Sequence, residues 1–162
     1  MFFWSGASVS VKRRTIKTFL GQESFLDSIL PHELTHIIFR EFVGFKAALP
    51  LWLDEGVACS QEKSNLVGRM DAAKALVKQD SYLRLDKLFE VYNSNLIVPN
   101  VFYSESASII IFFLKKYDKG LFLDFSRKLR DGIDWKKAIL DTYRFQSFEE
   151  MEALWKEFIL NN

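Results

Sequence analysis

His32-Glu33-Leu34-Thr35-His36 contains both histidines of this 162-residue chain. Four residues slightly exceed one helical turn, so two imidazoles at this spacing leave a helix on one face and can hold one metal ion. The string therefore predicts a helix and reads as a zinc signature, with Glu33 beside the ligands as a candidate base. Leu34, Ile37, Ile38 and Phe42 recur at helical spacing and read as the core face of that helix. Ser24 reads as the cap of a preceding helix, which Pro31 either kinks or replaces with a new one. Gly44 reads as the C-cap.

A catalytic zinc site takes three protein ligands and leaves a position for water. The chain has no further histidine and one cysteine, Cys59, so a carboxylate is needed. Glu55 is the best placed: eighteen residues separate it from His36, enough for the rest of one helix, a turn and a return. It falls on a helix opened by Pro50 and running from Leu51 to Cys59. Gly56, beside it, costs that helix about 1 kcal/mol relative to alanine and so marks a close approach between elements. Asp54 and Glu105 read either as carboxylates orienting a histidine or as solvent-facing residues. Trp52 reads as core, and Cys59 as a small buried side chain close to the site.

Elsewhere, Val9, Val11 and Ile16 suggest one or two strands between Ser8 and Ile16. A helix is expected over Asp71–Lys78 and a loop over Asn93–Asn100. A strongly apolar helix should start at Ser104 or Ser106 and run to Tyr117, with Gly120 past its end. Further helices are expected over Leu121–Leu129 and Asp134–Tyr143. Ser147-Phe148-Glu149-Glu150 is a capping-box pattern that opens a last helix, with Met151, Leu154, Trp155 and Phe158 inward.

Twenty-two basic and 21 acidic residues leave a net charge of +1, which predicts no attraction to nucleic acid or to an anionic membrane. Residues 107–114 form the longest apolar run, far below the ~20 residues of a membrane span. Met1-Phe2-Phe3-Trp4 is apolar but has no basic residues before it, so no signal peptide is expected. One thiol cannot form an internal disulfide and does not fix the compartment.

Together, His-Glu-Leu-Thr-His and Trp52-Leu-Asp-Glu-Gly-Val-Ala58 resemble the gluzincin metallopeptidases. Locally, the spacing and the W-L-x-E-G-x-A string are similar to the M1 aminopeptidases. As a whole the chain more closely resembles the peptidase MA-like domains, through Leu30–His36, Leu49–Gly56, Tyr103–Leu114 and the Glu149–Trp155 stretch. The resemblance implies an α+β fold, predominantly α, zincin-like, with a small or truncated N-terminal β-sheet, an active-site helix and a helical C-terminal part. It spans roughly Phe25–Ile159, and the length and the lack of a linker fit a single domain over residues 1–162, or a part of a longer chain.

The implied activity is zinc-dependent hydrolysis of internal peptide bonds in a peptide or protein substrate. His32, His36 and Glu55 would hold Zn2+, Glu33 would act as general base, and Tyr103 would donate to the oxyanion. The M1 string G-x-M-E-N is missing before His32, so aminopeptidase specificity is not implied. The alternative is a catalytically degenerate zincin domain serving as a protein-interaction module. An intact Glu33 argues against it, because a purely structural zinc site is closed by four ligands and needs no base.

Overall fold

The computed structural model describes residues 7–18, 24–45, 47–93 and 98–162. The apolar Met1–Trp4 stretch and residues 94–97 of the expected loop lie outside them. Two short strands, β1 (Ala7–Ser10) and β2 (Thr15–Thr18), pair antiparallel with Val9 opposite Ile16. A 3-10 turn over Val11–Arg13 joins them, and Arg14 completes the reversal in the left-handed region at φ 48°. Strand β1 and the 3-10 turn lie against α1 (Leu30–Val43).

A five-residue π-helical turn, Phe25–Ile29, feeds directly into α1, with Pro31 in its first turn. Ser24 does not cap this turn: its φ is 60° and its side chain makes no capping bond. Gly44 ends α1 at φ 87°, a conformation that favours glycine, and its N–H donates to the Arg40 carbonyl.

Then follow α2 (Leu51–Cys59), α3 (Leu66–Lys78), α4 (Leu85–Glu90) and α5 (Pro99–Lys116). The chain continues through α6 (Lys119–Arg130), α7 (Trp135–Tyr143) and α8 (Phe148–Asn161). Mostly helical with one small N-terminal sheet, the fold matches the α+β class expected. The periodic signal set α3 and α5 too short at their N-terminal ends, and α4 carried too few residues to register. Gly120 lies in the first turn of α6, which Asp118 caps by accepting the Leu121 N–H.

The central element is α5, which packs against α2, α3, α6 and α8. Its Phe102, Ile109, Ile110, Phe112 and Phe113 are buried, and so is a run of small residues, Ser104 to Ser108, around Glu105. That small face admits α2: a Cβ at Gly56 would stand 2.6 Å from the Ser106 carbonyl oxygen. The close approach anticipated at Gly56 is therefore real. On α8, Met151, Trp155 and Phe158 point inward as expected, and the Trp155 indole donates to Ser108 Oγ at 3.0 Å.

One expectation for α1 is reversed. Leu34, Ile38 and Phe42 are 40%, 65% and 37% exposed, whereas Glu33, His36, Phe39 and Val43 are buried. The polar positions of the motif share the inward face, because that face meets α2. Among the described residues, no helix is long and apolar enough to cross a membrane.

Candidate metal centre

Helix α1 supplies His32, Glu33 and His36, and α2 returns across it with Asp54 and Glu55. His32 Nε2 and His36 Nε2 face each other at 3.2 Å. Glu55 Oε2 lies 3.5 Å from the first and 3.8 Å from the second. Three atoms bound to one tetrahedral zinc at ordinary bond lengths would be about 3.3–3.6 Å apart. The triangle's sides, 3.2, 3.5 and 3.8 Å, bracket those of one face of such a site.

The outer nitrogens are also engaged. His32 Nδ1 lies 2.7 Å from Glu62 Oε1, and His36 Nδ1 lies 3.3 Å from Asp54 Oδ1. An arginine grips each carboxylate from behind. Arg69 donates to both oxygens of Glu62 at 2.8–3.0 Å, and Asn65 adds another bond at 3.0 Å. Arg40 donates to Asp54 Oδ2 through Nε and Nη2 at 3.2 and 3.0 Å. Burial alone would raise the Glu62 pKa, but His32 and Arg69 hold it down at about 2. Asp54 is likewise lowered against its burial, by His36 and Arg40. Two permanent anions thus face the two Nδ1 atoms, which favours protons there and leaves both Nε2 lone pairs turned inward beside the Glu55 carboxylate.

Three lone-pair donors converging at this range repel one another unless a cation lies between them. A proton is one answer: burial disfavours charge on His32, yet contacts to Cys59, Glu55 and Glu62 push its pKa up to about 12. A divalent ion is the other, and the donor set of two imidazoles and a carboxylate suits zinc.

A second group within ligand reach is His32, Cys59 and Glu62. It fits an ion less well, because Arg69 already neutralises Glu62. The Cys59 thiol, 3.8 Å from His32 Nδ1, stays protonated, its pKa pushed up to about 11 chiefly by burial. These residues support His32 from behind.

Glu33 is buried beside the cluster, and desolvation raises its pKa against the opposing pull of His32 and His36. Tyr103, near the start of α5, stands with His32 in the wall of a cleft of about 600 Å³. The Arg69 guanidinium lies 5.6 Å from its ring centroid. Glu105 is elsewhere: it accepts the Leu83 N–H at 2.9 Å and does not orient a histidine. Glu62 escaped the sequence reading because it follows the end of α2. Its only signal was an acid in the connection between α2 and α3, seven residues beyond Glu55 and seven before Arg69.

Residues 20–161 match the family model of the Peptidase MA superfamily. The chain belongs to the Peptidase MA superfamily. The match takes in the π turn, the histidine cluster, the cleft and the C-terminal helix, so this superfamily's domain accounts for nearly all the described structure. No curated protein and no solved structure matches the chain.

Proposed function

We propose that this chain is a zinc-dependent peptidase of the gluzincin type, acting on internal bonds of a peptide or protein. The observation that carries the reading is the convergence of His32 Nε2, His36 Nε2 and Glu55 Oε2, with each Nδ1 turned to an arginine-held carboxylate. In the proposal these three residues hold zinc, which supplies Lewis acidity to polarise a carbonyl and ease deprotonation of water. Glu33 accepts the proton of the attacking water and returns it to the leaving amine. Tyr103, in the cleft beside His32, donates its phenol to the developing oxyanion. Glu62 and Asp54 fix the rings of His32 and His36, and Arg69 and Arg40 fix the carboxylates.

The test is metal content and hydrolysis measured side by side. Purified protein should hold about one zinc, and Glu33→Gln should keep it while hydrolysis of a fluorogenic peptide library falls about 10²–10⁴-fold. Glu55→Ala should lose the metal. Undiminished cleavage by Glu33→Gln, or unaltered zinc affinity in Glu55→Ala, would overturn the proposal.

A further inference from the structure

The cleft that reaches His32 has walls of a particular chemistry. The π turn before α1 places Ser28 and Ile29 on one side, and the start of α5 places Pro99 and Tyr103 on the other, with Val98 at the exposed rim. The π turn is pinned from outside, since the Lys63 N–H donates to the Asp27 carbonyl at 2.8 Å. Ser28 is 1% exposed, yet its hydroxyl has no hydrogen-bond partner among the described residues. Leaving a buried hydroxyl unpaired is costly; its oxygen is closed to solvent, so a ligand recovers that cost only by drawing the hydroxyl round toward the cleft.

Two charged residues of the cleft wall, Arg69 and Glu62, neutralise each other. Arg69 gives Nε and Nη2 to Glu62. An ammonium entering here would face the arginine, and a carboxylate would face Glu62. Neither sign of charge is welcomed. The apolar walls, the flat Tyr103 and Pro99 surfaces and the volume suit an aromatic side chain, and the unpaired Ser28 hydroxyl suits one with a polar tip.

We propose that this cleft is a substrate side-chain subsite adjoining the metal centre, selecting a neutral aromatic residue, tyrosine above phenylalanine. The inference rests on the hydrolytic reading and deepens it by naming the substrate class.

Capped pentapeptides, acetyl-Ala-Ala-X-Ala-Ala-amide with X as Tyr, Phe, Lys, Glu or Ala, test it by calorimetric binding to zinc-loaded Glu33→Gln protein. The Tyr peptide should bind at least about tenfold more tightly than the Ala peptide, with Phe between and Lys and Glu no better than Ala. Ser28→Ala should erase the Tyr advantage over Phe, about three- to tenfold, while the Phe affinity stays as the control of folding. Val98→Trp, at the rim, should bring both aromatics down to the Ala level. Equal binding of Tyr and Ala, or tightest binding of Lys or Glu, would overturn the subsite. Hydrolysis of the same peptides by the unsubstituted protein separates the two readings. Selective binding without hydrolysis leaves the subsite standing and removes the peptidase; hydrolysis at equal kcat/KM with flat binding does the reverse.

Discussion

At the residue scale, each histidine is held by a carboxylate that is itself held by an arginine: His32–Glu62–Arg69 and His36–Asp54–Arg40. Anions facing Nδ1 orient the rings and raise the donor strength of Nε2, and such partners typically carry 10- to 100-fold of metal affinity. Glu62→Gln should therefore weaken zinc binding by about that factor in chelator competition. A variant with unchanged affinity would show that Glu62 serves only Arg69. Tyr103 is open to a cleaner separation. Phenylalanine keeps the ring over which Arg69 sits, so Tyr103→Phe should lower kcat about 10²-fold with KM and thermal stability little changed. A drop in stability alone would mark it as a packing residue. The histidines, Glu33 and Glu55 were legible because they lie in two short local patterns. Glu62 was not, since its meaning comes from His32, thirty residues earlier.

At the element scale, α2 must lie against α5 for Glu55 to reach α1, and Gly56 is what allows it. In Gly56→Ala the new methyl would press on the backbone oxygen of Ser106, which cannot swing aside as a side chain can. The expected net loss is about 1–3 kcal/mol, seen as a lower Tm, with a parallel fall in zinc affinity because Glu55 moves with the helix. A stabilised variant would mean that the helices separate without cost.

Glu105, on the same helix, is a second lever. Burial raises its pKa first, Glu152 adds to this, and the Leu83 N–H opposes it, leaving the carboxyl at about 8. The folded state thus holds this proton more tightly than the unfolded chain. Its contribution to stability is complete below about pH 4.5 and is lost as pH rises through about 8. Unfolding stability should decline across that window by roughly a few kcal/mol, seen as a falling Tm, and Glu105→Gln should flatten the decline. An unchanged slope in the variant would assign the effect to other groups.

The reversed face of α1 also belongs to this scale. Helical periodicity identified an apolar stripe correctly but not where it points. Helix α2 covers the side bearing Glu33 and His36, and Leu34, Ile38 and Phe42 stay exposed.

At the scale of the whole molecule, one apolar cluster runs from Phe39 to Ile159, built on α5 and closed by α7 and α8. The candidate centre sits to one side of it, where α1 and α2 are also joined by Arg40 and Asp54. The fold therefore should not depend on the ion. Chelation should leave the far-ultraviolet spectrum at 25 °C intact while lowering Tm by roughly 5–10 °C, given binding worth about 2.7 kcal/mol at a hundredfold excess over Kd. Collapse of the spectrum would make the ion structural; no shift at all would argue against binding.

The sequence by itself determined the helical class, the paired imidazoles and the candidate third ligand, because an i, i+4 spacing and a glycine beside a glutamate act through local geometry. Only the tertiary structure decided which face of α1 turns inward, which carboxylates stand behind the histidines, and that an unpaired serine lines a cleft beside them. Those relations join residues eighteen or more positions apart. They exist only once α1, α2 and α5 have packed, and no periodicity along the chain records them.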